Sequence, residues 1–386
     1  MDFSWEREYR DFRDEVRAFI EQWRTPELLA EYAATYGAGG RELAKFRDAL
    51  GEKGWMRMCW PVEQGGEGRN LLYQFIFVEE MEYWGMPYGN LTYTSIAPAI
   101  QHFGNDDQKA RYLPGIFAGE YTFAIGYSEP NAGTDLASLR TRAVRVGDEW
   151  VINGQKTWTS LADVATHIWL AARTDPDAPK HQGISVFIVP TTAKGLTISP
   201  LHAMYGGHTN ETFYDDVRVP HADLVGGLNQ GWGIVMHALN HERVGLAATG
   251  SLARLFDQLV AHLAEHQPRK LADPAVRRTL AELELDLLEQ RALAVNNAWI
   301  ISKGGTPIAE ASMAKVAATE LRTRIANTGM DLLGRYGSLG KENGALAPAE
   351  GRMEWAFRIS PIFRFGGGTN EVMRDIISAA GLGMAR

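Results

Sequence analysis

The spacing of apolar residues changes twice along the chain, and this change restricts the possible folds more than any other feature. In residues 1–120 apolar side chains recur every three or four positions, which is helical spacing. From 121 to 227 the spacing is two, and from 228 to 386 long helical stripes return. The order predicts an α+β protein with an N-terminal helical domain, a middle β domain and a C-terminal helical domain over these ranges.

Short alternating runs predict the strands of the middle domain. A buried strand is expected around Phe123, and four further segments have strand character: HIWLAA, ISVFIVP, LTISP and ETFYDDVRVP. The pairs Gly147-Asp148 and Asn153-Gly154 predict a tight turn at each point. Strands and helices do not alternate, and neither G-x-G-x-x-G after a strand nor G-x-x-x-x-G-K-[ST] is present. A doubly wound dinucleotide fold is therefore not favoured, and the sequence offers no phosphate loop.

Charge and cysteine content narrow the function classes. The net charge is -8 and no basic run is present, which argues against nucleic-acid binding. Cys59 is the single cysteine, so an internal disulfide is excluded and a reducing compartment fits. The first residues lack the apolar core of a signal peptide, and no apolar run has the length of a membrane span. We expect a cytoplasmic protein.

Glu242 is the carboxylate that the helical pattern singles out. It shares helical spacing with Val235, Leu239 and Leu246, so it lies on an apolar stripe. Desolvation there raises a carboxyl pKa toward the range of a general base, whereas a partly exposed glutamate in a salt bridge is the alternative. Arg243 follows directly but points about 100° away on the helix.

Two other reaction classes are not favoured. His237 and His241 lie four apart, but the glutamate is misplaced for H-E-x-x-H and no third ligand is evident, so no metal site is expected. Ser128 lies in G-x-S-x-P, which lacks the closing glycine of a nucleophile elbow.

Three segments suggest a flat or phosphorylated ligand. The loop SEPNAGTD at residues 128–135 exposes hydroxyls and backbone N–H groups, although an ordinary turn is the alternative. Trp158 could be a platform for a cofactor or simply a packing residue. Gly366, Gly367 and Gly368 precede a helix start, which is typical of close backbone approach or of dihedral angles that other residues avoid.

Six segments, in this order and over nearly the whole chain, resemble the acyl-CoA dehydrogenases: SEPNAGTD, GQKTWTS, VRVP, NQGWG, HERVGLAA and GGGTNEVMRD. The resemblance implies non-covalent FAD between a β-barrel or sandwich and a C-terminal four-helix bundle. It also implies oxidation of an acyl-CoA thioester to the trans-2-enoyl-CoA, with electrons passing to an electron-transfer flavoprotein. Such enzymes are usually tetramers, so a homotetramer or a dimer is expected.

Position by position, the resemblance implies where the cofactor binds. Tyr127 and Ser128 match positions that hydrogen-bond the flavin ring, and Trp158 and Ser160 match positions beside the ring and its N5. Thr134 matches a position near the CoA phosphopantetheine or a flavin phosphate.

Further matches imply contacts at the other end of the cofactor and at the substrate. Thr369 and Glu371 match contacts to the adenosine end of FAD. Arg243 matches the arginine beside the base, and Tyr93 falls in the segment that borders the acyl tail.

The resemblance also gives the glycine run a meaning. Many family members carry the catalytic glutamate where this chain has Gly367, whereas a subset for branched or long-chain acyl groups takes its base from the position of Glu242. Glu242 is then the base and flavin N5 receives the hydride. The Gly367 N–H and a ribityl hydroxyl donate to the thioester oxygen. The space at Gly367 predicts a branched, cyclic or otherwise bulky acyl group.

Two departures from the family pattern leave questions open. The usual R-x-x-F-G is missing, so the arginine for the FAD pyrophosphate could be Arg269, Arg277 or Arg278, and Asp331 stands where glutamine is usual. The alternatives to a complete dehydrogenase are a non-catalytic or partner subunit of a heteromeric enzyme and an acyl-CoA oxidase.

Overall fold

Helices, then strands, then helices follow one another along the chain, as the apolar spacing predicts. The computed structural model describes residues 5–35, 39–88, 91–246 and 249–385, and it describes only the backbone of residues 240–246. The helices are α1 (Arg7–Trp23), α2 (Pro26–Thr35), α3 (Arg41–Lys53), α4 (Leu71–Trp84), α5 (Ala97–Phe103), α6 (Asp106–Phe117), α7 (Gly231–Leu246), α8 (Gly250–His266), α9 (Pro268–Leu271), α10 (Pro274–Ser302), α11 (Ile308–Leu333), α12 (Arg352–Phe365) and α13 (Asn370–Ile376). The strands are β1 (Phe123–Gly126), β2 (Arg142–Val146), β3 (Glu149–Lys156), β4 (His167–Arg173), β5 (Ile184–Pro190), β6 (Leu196–His202), β7 (His208–Pro220) and β8 (Leu224–Val225).

Backbone contacts divide the chain into two units. The helical unit comprises Met1–Leu29, Arg57–Tyr88 and Arg243–Arg386, and the sheet unit comprises Ala30–Met56 and Gly89–Glu242. The domain boundaries expected from the sequence, near residues 120 and 227, stay a prediction.

Amphipathic helices build the core of the helical unit. The stripe expected at the N-terminus is buried in α1 from Phe12 to Ile20, and α1 packs on α4. Helices α8, α10, α11 and α12 surround a common core that includes Leu259, Leu283 and Ile325, each at most 1% exposed. Each large apolar side chain that is buried stabilises the fold by about 1.5–3 kcal/mol. The packed apolar faces are therefore the main source of stability for these helices.

In the part of the chain that the structure describes, the sheet unit holds eight strands in one hydrogen-bonded sheet. The strand order is β6-β7-β3-β2-β4-β5-β8, and β1 pairs with β4 off this path. Strands β4 and β5 are buried almost throughout, which explains why HIWLAA and ISVFIVP read as unbroken apolar runs. The longer β7 alternates buried and exposed side chains over most of its length because one of its faces is solvated.

One of the two turn predictions is wrong. Gly147, with φ 65°, lies in the turn between β2 and β3 as predicted. Asn153 and Gly154 instead lie inside β3, at a shift in its register with β7. The Asn153 amide bonds Asp216 on β7, and a Cβ at Gly154 would meet the Thr141 hydroxyl at 2.6 Å. Tertiary packing therefore uses this Asn-Gly pair as a bulge.

A buried histidine makes the sheet unit sensitive to acid. His167 of β4 is 9% exposed, stacks on Phe123 of β1 and hydrogen-bonds the Thr166 hydroxyl at 2.8 Å. Burial and, to a smaller extent, the positive charge of Arg111 together lower the pKa of His167 to about 4. The folded protein therefore holds this imidazole neutral at neutral pH.

Acidification below pH 6.5 is expected to reduce the free energy of unfolding through His167, because the unfolded chain binds this proton and the folded protein resists it until about pH 4. The loss from this group should reach roughly 3 kcal/mol at pH 4. Urea denaturation across this range should show a shallower acid slope for His167→Gln than for the parent. The exposed His202→Gln is the control, and equal slopes for His167→Gln and the parent would contradict the prediction.

Candidate active site

Lys156 connects the end of β3 to the loop that follows β1. Its Nζ donates to the carbonyl oxygen of Tyr127 at 2.9 Å and to Oε1 of Glu129 at 2.9 Å, and its side chain is 0% exposed. The Glu129 carboxylate also accepts from the backbone N–H of Arg140 at 2.7 Å and of Thr141 at 2.8 Å. This clamp fixes the backbone at Tyr127 and Ser128, two of the residues expected to bind the flavin ring.

Electrostatics agree with a structural role for this pair. Burial lowers the pKa of Lys156 to about 8, and the negative charge of Glu129 partly opposes that shift. Burial alone would raise the pKa of Glu129, but the Lys156 ammonium and the Thr141 donors outweigh it and hold the pKa below its ordinary value. Both groups are therefore charged near neutral pH, and Glu129 accepts from three donors rather than being free to act as a base.

Trp158 presents its ring to the outside from a strained backbone. Its φ is 60° and its side chain is 60% exposed, whereas non-glycine residues at positive φ usually cost roughly 1–3 kcal/mol. The flanking residues hold it there, because the Thr157 N–H donates to the Ser128 carbonyl at 2.9 Å and the Thr159 N–H donates to the Asn210 carbonyl at 2.8 Å.

Ser160 and Thr134 also lie at the surface of the sheet unit. Ser160 is exposed, and its hydroxyl lies 3.1 Å from that of Thr209. Thr134 is exposed on the 128–135 loop. Next to it, Asp135 forms a surface ion pair of 2.7 Å with Lys180. The structure thus brings Trp158 and Ser160 together after β3 and leaves the Thr134 hydroxyl accessible.

The glycine run forms a tight turn between α12 and α13 in the helical unit. Gly367 has φ 65° and Gly368 has φ 99°, so both lie in the region that favours glycine. Thr369 is the N-cap of α13, since its hydroxyl accepts from the Val372 N–H at 3.2 Å. Glu371 is exposed in the first turn of α13, where its own backbone N–H and the Thr369 hydroxyl lower its pKa.

The expected base lies on α7. Val235 on its predicted stripe is 1% exposed and Leu239 is half-buried, which confirms the apolar face up to that point. Glu242 and Arg243 are on the same helix, but their side chains lie outside the described residues. Tyr93 is half-buried in a π-helical turn, Thr92–Ile96, and burial raises the pKa of its phenol.

The three candidate arginines for the FAD pyrophosphate, and the aspartate at the usual glutamine position, lie at the surface. Arg269 of α9 and Arg277 and Arg278 of α10 are all exposed, and so is Asp331 of α11.

In the described part of the chain, no group of three or more histidine, cysteine, aspartate or glutamate side chains could hold a metal ion. In the same part, no helix is both long and apolar enough to cross a membrane.

Family models match the chain in three successive segments. The N-terminal, middle and C-terminal domain models of the acyl-CoA dehydrogenases match residues 6–120, 124–217 and 229–382. The chain belongs to the acyl-CoA dehydrogenase family. The three-domain fold, the expected family and the enzyme class, an oxidoreductase acting on acyl-CoA, are thereby confirmed.

Similar proteins cover this acyl-CoA dehydrogenase along its whole length. The acyl-CoA dehydrogenase FadE26 of Mycobacterium tuberculosis is 42% identical over 100% of this chain and 99% of its own. A solved structure described as the Tcur3481-Tcur3483 steroid ACAD has a TM-score of 0.91 at 40% identity and full coverage of both chains. The ChsE4-ChsE5 complex from Mycobacterium tuberculosis has a TM-score of 0.90 at 41% identity, again with full coverage of both chains.

The residues of this acyl-CoA dehydrogenase fit the FAD that the family uses. The largely exposed indole of Trp158 on its strained backbone is a flat apolar face, and the accessible Ser160 hydroxyl next to it can hydrogen-bond a ring nitrogen or oxygen. In the helical unit the glycine turn brings bare backbone to the surface before Thr369. Taken separately, the aromatic face suits a flat ring, and the glycine backbone suits a polar group of such a cofactor.

Two buried lysines were not identified from the sequence. Lys156 shares the strand alternation of Trp150 and Ile152, and Lys315 shares the helical stripe of Ala311 and Ala318, so both positions are inward by spacing. Both lysines satisfy the same spacing rule as Glu242. An inward lysine predicts a nearby cluster of acceptors.

Proposed function

We propose that this acyl-CoA dehydrogenase oxidises the Cα–Cβ bond of an acyl-CoA thioester to the trans-2-enoyl-CoA, with Glu242 as the base that takes the α-proton. The observation that carries the proposal is the sequence spacing of Glu242 with Val235 and Leu239 on α7, in a chain whose position 367 is glycine. Bound FAD supplies the acceptor for the β-hydride. An apolar setting raises the pKa of a carboxyl group and suits it to proton abstraction near neutral pH.

FAD would be held non-covalently by two sets of residues. Tyr127, Ser128, Trp158 and Ser160 would hold the ring, and the clamped backbone and strained tryptophan described above support that role. Thr369 and Glu371 would contact the adenosine end, with Thr134 near a phosphate of the CoA or the cofactor, since all three are at least partly accessible.

Gly367 would serve through its backbone. Its N–H would donate to the thioester oxygen, which makes the α-proton more acidic by stabilising the negative charge that develops on that oxygen. A left-handed glycine supplies such a donor without a side chain between it and the substrate. Arg243 would lie beside the base and Tyr93 beside the acyl group.

The acyl group would be bulky rather than a long straight chain. Gly367 leaves open the volume that a glutamate side chain fills in other members, and one similar structure is described as a steroid ACAD. We infer a thioester whose acyl chain carries a branch or a fused ring system, such as a steroid side chain. Electrons would leave through an electron-transfer flavoprotein.

The assembly would contain four chains or two. It would be either a homo-oligomer or a complex of this chain with a second, different chain. Two similar structures are described with two components, Tcur3481-Tcur3483 and ChsE4-ChsE5. The missing R-x-x-F-G arginine agrees with help from another chain at the FAD pyrophosphate. Glu242 favours the reading in which this chain is the one that carries the base.

The purified protein is expected to be yellow, to release FAD on acid extraction, and to show its highest kcat/KM for bulky thioesters. The assay uses straight, branched and steroid side-chain acyl-CoA thioesters with an artificial electron acceptor, and is repeated in air to detect oxidase activity. Light scattering gives the mass of the assembly. Tight acyl-CoA binding by flavin-free protein would overturn the proposal, and a straight long-chain thioester as best substrate would overturn the acyl assignment.

A further inference from the structure

Lys315 of α11 is fully buried and holds three oxygens around the glycine turn. Its side chain is 0% exposed. Its Nζ lies 3.1 Å from the Arg364 carbonyl oxygen, 2.8 Å from the Gly368 carbonyl oxygen and 2.8 Å from Oδ1 of Asn370. An ammonium has three donors, and these acceptors come from the end of α12, from the turn and from the start of α13.

Backbone anchors lie on both sides of the turn that carries the Gly367 N–H. On one side the Gly366 N–H closes α12 by donating to the Ile362 carbonyl at 2.8 Å. On the other side Lys315 holds the Gly368 carbonyl. The turn itself has two consecutive residues at positive φ, and these anchors restrain the backbone on either side of them.

The hydrogen bonds of Lys315 continue through Asn370 to a carboxylate. Asn370, which is 1% exposed, accepts from Lys315 and donates to the Glu320 carboxylate at 3.3 Å. Glu320 in turn pairs with Arg374 at 2.7 Å and lies 3.9 Å from Arg364. The Glu320 carboxylate thus contacts Asn370. The hydrogen bonds that the structure gives for Lys315 go to the neutral oxygens of Arg364, Gly368 and Asn370.

We propose that Lys315 is a positioning residue for the thioester oxygen, because it orients the Gly367 N–H. The inference rests on the proposed function, which assigns that N–H to the oxygen. Lys315 does not touch the reacting atoms; it acts through the backbone of the turn. It is expected to strengthen one hydrogen bond to the substrate, and it also contributes to stability because it satisfies three oxygens around the turn.

The test compares Lys315→Met, Lys315→Arg and the parent as FAD-loaded enzymes. The control is Arg324→Met on the same helix, because Arg324 is exposed and pairs with Asp286 at the surface. Infrared difference spectra of a bound enoyl-CoA with an isotope-labelled thioester carbonyl report the hydrogen bonding of that oxygen directly. FAD content and melting temperature show whether each variant is folded, and steady-state assays separate kcat from KM.

Lys315→Met is expected to move the carbonyl band back toward its position in free enoyl-CoA and to lower kcat about a hundredfold, the cost typical of a lost oxyanion donor. KM should change less than about threefold, because a donor that acts mainly in the transition state contributes little to ground-state binding. Lys315→Arg keeps the charge and should recover part of the band shift. Arg324→Met should match the parent in band position and kcat.

Each outcome decides the proposal. A folded, FAD-loaded Lys315→Met with the parental band and parental kcat overturns it. Should Lys315→Met fail to fold, Lys315→Arg is judged by the same two quantities, and a parental band and kcat there overturn the proposal as well. If the parent itself shows no band shift on binding, the oxyanion role of Gly367 in the proposed function fails, which is distinct from a failure of Lys315.

Discussion

Replacement of Glu242 by glutamine is expected to lower the rate of flavin reduction by at least ~10²-fold, while FAD and acyl-CoA still bind. The exchange keeps the shape of the side chain and removes only its ability to take a proton, and a positioned general base contributes ~10²–10⁴ to a rate. Anaerobic stopped-flow absorbance with the best thioester measures the rate. Equilibrium titration shows whether binding is retained.

Asp135→Asn is the matched control for Glu242→Gln. Asp135 lies on the 128–135 loop, but its carboxylate pairs with Lys180 and both side chains are more than half exposed, so a role in proton abstraction is not expected. The rate of flavin reduction in Asp135→Asn should equal that of the parent. Parental flavin reduction in Glu242→Gln would show that the base lies elsewhere.

Removal of the Lys156 ammonium by Lys156→Met is expected to reduce the free energy of unfolding by about 3–5 kcal/mol, the range for loss of one partner of a buried ion pair. The Glu129 side chain is 10% exposed and would keep two backbone N–H donors but lose its counter-charge. The Tyr127 carbonyl would lose its donor as well. Equilibrium urea denaturation measures the change, and the affinity for FAD should fall with it because the ring-binding backbone is released.

Two variants separate the buried charge from general damage. Adding Glu129→Gln to Lys156→Met should recover part of the lost stability, because it removes the uncompensated carboxylate. Lys180→Met breaks the exposed pair with Asp135 on the neighbouring surface and should change stability by no more than about 1 kcal/mol. A change of that small size in Lys156→Met would show that the clamp at Tyr127 does not depend on the lysine.

The two buried lysines support two separate pieces of backbone. Lys156 holds the segment around Tyr127 and Ser128 in the sheet unit, and Lys315 holds the turn at Gly367 in the helical unit. Each reaches across a gap in the sequence, 29 residues from Lys156 to Tyr127 and 53 from Lys315 to Gly368. In both places a buried lysine links backbone carbonyl oxygens to a side-chain oxygen, that of Glu129 for Lys156 and that of Asn370 for Lys315.

Features that depend on neighbours in the sequence could be predicted from it. The apolar spacing located the helices and strands because burial of one face imposes a period of 3.6 or 2. The stripe in α1 and the unbroken apolar runs of β4 and β5 follow from that rule. The need for glycine at 367 and 368 follows from positive φ, and Thr369 as N-cap follows from the unpaired N–H groups at a helix start.

Features that depend on distant partners were decided only by the tertiary structure. The sequence cannot distinguish an Asn-Gly hairpin turn from a bulge, and at Asn153 the outcome was set by Asp216, 63 residues away. The positive φ and the exposure of Trp158 likewise depend on bonds to segments far along the chain. The residue type alone does not distinguish a solvated lysine from one that is buried among carbonyl oxygens. The roles of Lys156 and Lys315 became visible only once their acceptors had been brought together, because only acceptors assembled in space offset the cost of burying a charge.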